Sequence, residues 1–392
     1  MRTAGSTPAA TPSRDLRLDF FRGLALICIF IDHIPENYLN YFTLSAIGFS
    51  DAAEVFIFIS GFTAALVYGR AMTQRGVLWS TAQVLRRAWQ LYVAHIFLFM
   101  IFLAEVSYTV MTFKNPMYNE EMGVGDFLDD PHMAVIQALL LQLQPTFLDI
   151  LPLYIVLLLI FPAVLLGLRR FPMVVLIPSA LIYLEVQIFS VDVPAYPEGH
   201  IWTFNPLAWQ FLFVVGAALG QAGAPSRRAS QLLQLLMWPA LIIAAVALVV
   251  RLTWAAHGIW DGIPALFLRQ LWPVNKTNLS PIRLISFFAL VILAARWISP
   301  QAAFLRSAAA KPVVLCGAHS LEIFCLSILL SALGHFLLSE FATGVTIQVA
   351  VNAVGIAAMC LSAWMFDWYR VMQQMPVMSA SAAKNERSDG GE

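Results

Sequence analysis

Arg22 and His33 stand 11 residues apart in a stretch of sequence that is otherwise almost wholly apolar. At 100° per residue that separation is three helical turns plus about 20°, so both side chains leave one face, roughly 16 Å apart along the axis. Arginine offers a permanent cation to an anionic ligand, and imidazole offers a base that titrates near neutrality. Pro35 disfavours helical geometry at the residue before it and should end the helix there. His33 then lies about 22 Å from Leu18 in a hydrocarbon core about 30 Å thick, towards the side opposite Arg22. Plainer readings exist. Arg22 also fits a snorkelling anchor paired with Asp19, and His33 a hydrogen-bonded interfacial histidine.

A second cluster bears on the first. Glu54 opens the next apolar run, Ala53-Glu54-Val55-Phe56 to Ser60-Gly61-Phe62, at the depth of His33. A carboxylate there could orient the imidazole and stabilise its charged form; capping of the helix start is the alternative. Asp32 is about 100° away from His33 on its own helix and is the poorer partner. At the opposite depth, Arg86 and Arg87 precede a run containing His95. Paired arginines of this kind anchor helices, and they also suit a ligand rich in phosphate. His319-Ser320-Leu321-Glu322 reads either as a polar helix start or as part of a site, and Asp149-Ile150-Leu151-Pro152 as an N-cap with an early proline. Tyr196, Trp202, Trp209, Trp260 and Trp272 could stack on sugar rings, although an aromatic belt explains them more simply.

These residues need elements that cross a bilayer. Of the 392 residues 60% are hydrophobic and only 12% charged, and the mean hydropathy is +0.75. Soluble domains carry about twice that charge. The net charge of +0 also lacks the basic excess that a nucleic-acid partner needs. Ten apolar segments are long enough to span, near 18–35, 52–69, 89–110, 149–168, 172–190, 207–221 (a short one), 233–252, 282–298, 312–336 and 343–366. Segment 134–143 is shorter, and its glutamines suggest an interfacial helix.

With both termini in the cytoplasm, eighteen of the 23 Lys and Arg residues fall inside, which leaves Lys114, Arg251, Arg269, Lys276 and Arg283 on the outer side. That is the positive-inside pattern, and it requires an even number of spans. The expected fold is therefore an all-α transmembrane bundle over 14–370, with a disordered tail at 1–13 and a cytoplasmic tail at 371–392. The basic N-terminus lacks a convincing cleavage site, so the first span should be retained. Cys28, Cys316, Cys325 and Cys360 lie in apolar runs and read as small buried hydrophobes. The sequence contains no G-x-S-x-G, H-E-x-x-H, Walker loop or dinucleotide fingerprint, which removes support for hydrolase, zinc-protease and ATP-driven chemistry.

The Asp19-x-x-Arg22-Gly23 start, the Arg22 to His33 spacing and the Ser60-Gly61-Phe62 run resemble the acyltransferase-3 superfamily of membrane enzymes. More specifically, the chain resembles the OpgC family of osmoregulated periplasmic glucan succinyltransferases. The matching stretches are Arg17 to Gly23, Ala53-Glu54-Val55-Phe56, Tyr92-Val93-Ala94-His95, Asp149-Ile150-Leu151-Pro152, Asn205 to Gln210, Lys276-Thr277-Asn278-Leu279 and His319-Ser320-Leu321-Glu322. The resemblance implies a multi-pass protein of the bacterial inner membrane with no permanently bound cofactor. Cytoplasmic succinyl-CoA would be the donor and a periplasmic β-glucan the acceptor. His33 would be the base, poised by Glu54, and Arg22 would orient the acyl donor. Arg86, Arg87 and His319 would help to hold the donor, and Asp149, Asn205 and Trp209 would contact the glucan. Two alternatives stay open: an acetyltransferase acting on another envelope glycan, and a transporter or flippase of a sugar or acyl compound whose buried charges line a path. Matched halves, which would favour a transporter, are not visible in the sequence.

Overall fold

The computed structural model describes residues 15–115, 117–223, 226–255, 274–341 and 344–374. The N-terminal tail, residues 375–392 of the C-terminal tail, Arg269, Trp260 and Trp272 lie outside the described residues. Within them the protein is almost entirely helical. Ten long helices are α1 Leu16–Asp32, α2 Ala52–Arg75, α3 Val77–Phe113, α4 Ile150–Arg170, α5 Pro172–Phe189, α6 Pro206–Ala222, α7 Arg227–Ala255, α8 Pro281–Trp297, α9 Ser320–Glu340 and α10 Val345–Gln374. The described strands are β1 Pro194–Ala195 and β2 His200–Ile201, an antiparallel pair in the loop before α6.

Nine of the ten expected apolar segments each coincide with one of these helices. Seven of them (α2, α3, α4, α5, α7, α9 and α10) are long and apolar enough to cross a membrane, and α6 is a shorter apolar helix. α1 and α8 have the same 17 residues as α6, but they carry Arg17, Asp19 and Arg22, and Arg283 and Arg296. Those charges lower their hydropathy.

The helix starts follow local chemistry. Asp15 caps α1 by accepting from the Arg17 N–H. Asp51 and Glu54 form a reciprocal capping box on α2. Asn205 caps α6, and Pro206 and Pro281 occupy the first positions of α6 and α8, where a missing N–H costs nothing. α1 ends at Asp32 with His33 as its C-cap, as Pro35 requires. The expected interfacial helix is Pro131–Leu139, which lies between α3 and α4 among the short helices Met117–Glu121 and Gly125–Asp129.

One segment departs from expectation. The run 312–336 is not a single helix, because the chain breaks at His319 (φ −109°, ψ 43°) into a short helix Lys311–Ala318 and α9. The short helix packs against α1 with its backbone almost in contact. A Cβ on Gly23 would meet the Val313 carbonyl, and one on Gly317 would meet the Asp19 carbonyl. Since 23 faces 313 and 19 faces 317, the two helices run in opposite directions. Hydropathy cannot register this reversal, because both pieces are apolar.

A similar close approach joins α2 to α6, where Gly61 faces the Phe213 carbonyl and Gly216 that of Phe58. Small residues at such crossings let helices associate by dispersion where lipid removes the hydrophobic drive. Large aromatics fill the space beside them, with Trp209, Phe161, Phe213 and Phe324 buried. Outward faces are apolar instead. On α5, Val174, Ile177, Leu181, Leu184 and Ile188 are exposed at helical spacing, as a lipid-facing stripe should be. All four cysteines are free thiols within the bundle.

Candidate active site

His33 sits where α1 stops. Its ring packs on Phe147, 4.4 Å between centroids, and its Nδ1 is buried without a hydrogen-bond partner. Asp32 turns the other way and accepts from Thr43 Oγ1 at 2.7 Å and Ser45 Oγ at 3.4 Å. The charges that reach His33 belong to Lys276 and Asp51.

Glu54 is fully buried, but its partner is not the imidazole. Its Oε1 accepts from Arg283 Nε at 2.7 Å, and its Oε2 from the Asp51 N–H at 2.9 Å. The proposed Glu54–His33 pairing is therefore replaced by a Glu54–Arg283 ion pair. The reason is electrostatic: a buried carboxylate one turn into α2 binds a permanent cation in preference to a titratable ring. Arg283 Nη2 also donates to Asp51 Oδ2 at 3.1 Å, and Lys276 Nζ reaches the same oxygen at 2.9 Å. The result is a chain of alternating charge, Glu54–Arg283–Asp51–Lys276. Burial opposes ionisation of Asp51, but the two cations outweigh it and hold its carboxyl well below the usual range. Burial also opposes the Lys276 charge, and Asp51 outweighs that, raising the ammonium above the ordinary lysine value. Arg251 Nε donates to the Ser45 carbonyl at 3.0 Å, and its charge is felt at Asp32 and Asp51.

Asp149 lies at the start of α4 without forming a side-chain cap. It instead faces Thr203 and feels the charge of Lys276. Asn205 and Trp209 engage their polar groups within the protein. Trp209 Nε1 donates to the carbonyls of Lys276 and Thr277 at 3.1 and 3.0 Å. Asn205 caps α6, donates its backbone N–H to the Thr277 carbonyl at 3.0 Å, and bonds through Nδ2 to Val191 O and Asn278 Oδ1. Both are wholly buried, and their bonds hold the loop that carries Lys276.

At the other end of α1, Arg22 Nη2 donates to Thr63 Oγ1 at 2.7 Å. Arg22 and Arg87 line one cavity of about 180 Å³, together with Phe56, Tyr68, Leu151 and Ser320. A second cavity of about 370 Å³ shares Arg87, Ser320 and Leu321 with it, and adds His319 and Arg370. Arg86 lines neither and is exposed, since adjacent helical residues point about 100° apart. Of the paired arginines only Arg87 serves this space.

The first cavity ends at Phe56 and Leu151. Each is two residues, about 3 Å of helical rise, from Glu54 and Asp149 respectively. The cavity thus runs from Arg22 to the depth at which α2 and α4 begin, while Glu54 and Asp149 leave other faces of those helices. His95, one turn beyond Leu91 on the face that bears Arg87, is fully buried, and neither ring nitrogen has a partner.

Sequence reasoning missed Asp51, Lys276, Arg283 and Arg251 as site residues. A signal was present. Three of the five cations that violated the charge asymmetry are the ones that converge here, where a membrane protein would retain them only for a partner.

No curated protein matches the chain. The family model described as OpgC protein matches residues 14–371, the stretch that holds every helix and charged residue of this site. The chain belongs to the OpgC family.

Proposed function

We propose that this protein is a membrane O-acyltransferase that moves a succinyl group from cytoplasmic succinyl-CoA to hydroxyls of a periplasmic β-glucan. Membership of the OpgC family supports a transferase role in modifying osmoregulated periplasmic glucans. The observation that carries the chemistry is the cavity that Arg22 and Arg87 line, which extends to Phe56 and Leu151 near the starts of α2 and α4. The larger cavity at its mouth reaches the ~300–1,000 Å³ range of small-molecule sites.

In this reading the donor enters at the arginine end. Its phosphates lie against Arg87, with His319 and Arg370 beside them, because guanidinium matches phosphate geometry. Arg22, held by Thr63, steadies the arm that carries the thioester. His33 meets the acceptor hydroxyl at the far end and takes its proton during attack on the thioester carbonyl. Phe147 fixes the imidazole plane. The bilayer keeps bulk water from the thioester, which favours transfer over hydrolysis.

The test is made on the product. Osmoregulated glucans are purified from cells carrying the wild-type protein or His33→Ala and separated by anion exchange. Wild-type cells should yield anionic, succinylated glucan and the variant neutral glucan. Fully anionic glucan from the variant would overturn the role of His33, and an unmodified but transported glucan in wild-type cells would overturn the enzyme class.

A further inference from the structure

We propose that Lys276 is a catalytic residue of this transfer, its ammonium binding the oxyanion that develops on the acyl carbonyl as the acceptor hydroxyl attacks. The inference rests on the acyltransferase reading above and names the group that reading lacks. Acyl transfer needs a base for the nucleophile and a donor for the carbonyl oxygen, and the second is commonly the larger contribution to rate.

The loop that carries Lys276 is held far more firmly than a connection between helices requires. Four side chains from two helices and an N-cap bond to its backbone or to Asn278. Trp209 takes the carbonyls of 276 and 277, Asn205 takes Asn278 Oδ1 at 2.8 Å, Tyr183 donates to the Leu279 carbonyl at 2.9 Å, and Gln187 to the Asn278 carbonyl at 2.6 Å. Leu279 is held at φ 48°, a conformation a leucine keeps only where its surroundings impose it. This investment fixes the position of one ammonium group.

That ammonium is the accessible cation of the charge chain. The Lys276 side chain is 42% exposed, whereas that of Arg283 is 8% exposed and bonds to both carboxylates. Lys276 has three N–H donors; Asp51 takes one, and the Phe204 ring lies 5.3 Å from Nζ on another side. The remaining donor capacity lies within electrostatic reach of His33. Base and oxyanion donor thus come from different elements, the end of α1 and the loop before α8, and the charge of one is felt at the other. Arg283 and Glu54 act through Asp51 and are positioning residues.

The step balances. His33 accepts the hydroxyl proton while the oxygen forms a bond to the thioester carbon, and the carbonyl π pair moves onto oxygen against Lys276. Collapse restores the carbonyl and breaks the C–S bond. The thiolate leaves with the proton that His33 held, so alcohol and thioester give ester and thiol.

The test uses purified full-length protein with succinyl-CoA and a β-glucan acceptor. Lys276→Met should lower kcat by about 10²- to 10³-fold, leave both KM values within threefold, and recover part of the rate on addition of methylammonium. Should the methionine variant not fold, Lys276→Gln carries the same expectation. A kcat within fivefold of wild type, or a loss confined to KM, overturns the role of Lys276 while leaving the acyltransferase reading intact. A wild-type protein that turns over no acyl-CoA with any glucan overturns both.

Discussion

Glu54 and Arg283 place opposite charges at 0% and 8% side-chain exposure inside an apolar bundle. Such a pair contributes modestly to stability while intact, yet removing one member strands the other in a medium that cannot solvate it, at a cost of about 3–5 kcal/mol. Glu54→Gln or Arg283→Met alone should therefore lower the melting temperature of the purified protein sharply. The double variant should recover most of that loss, because neither charge is then stranded, while catalysis stays impaired through the untethered Asp51. Losses that simply add in the double variant would show that the two residues are not coupled. At this scale the sequence placed His33, Glu54, Arg22 and Arg87 near a site. The partner of Glu54 was hidden because Arg283 is 229 residues away, and helical arithmetic reaches only along one helix.

Among the elements, the crossing of α1 with Lys311–Ala318 decides whether Arg22 faces Thr63 and the cavity. Gly23 lies against the Val313 carbonyl, which is backbone and cannot swing aside as a side chain could. Gly23→Ala should push the two helices apart and cost about 1–3 kcal/mol, the usual penalty for overpacking. Gly125→Ala is the control, since its added methyl would find its nearest neighbour at 3.9 Å. Melting curves that shift equally for both would remove the crossing as the reason for Gly23. The glycine was visible in the Asp-x-x-Arg-Gly stretch, but the helix it faces was not, because residues 312–336 read as one apolar run.

For the whole molecule, the reading depends on which end meets the cytoplasm. Arg170 closes α4 at the arginine-rich end, and Glu198 lies in the loop before α6 at the His33 end; both are exposed. With the four native cysteines replaced by alanine, Glu198→Cys should react with a membrane-impermeant maleimide on intact cells. Arg170→Cys should react only after the membrane is opened. The opposite pattern would put the arginine-lined mouth outside, away from any cytoplasmic acyl-CoA, and the proposed direction of transfer would fail.

By itself the sequence determined the all-α architecture, the positions of the long helices and the shared face of Arg22 and His33. These follow from composition and from a 3.6-residue period, which are properties of a contiguous segment. Tertiary structure decided which charges meet. It gave Glu54 to Arg283, engaged the polar groups of Asn205 and Trp209 with the loop that carries Lys276, left Arg86 off the cavity that Arg87 lines, and brought Lys276 to Asp51, 225 residues earlier. Buried charges choose partners by distance in space, and in an apolar bundle the choice is made strictly because each unpaired charge is costly. That selection depends on how helices distant in sequence pack, which no local pattern records.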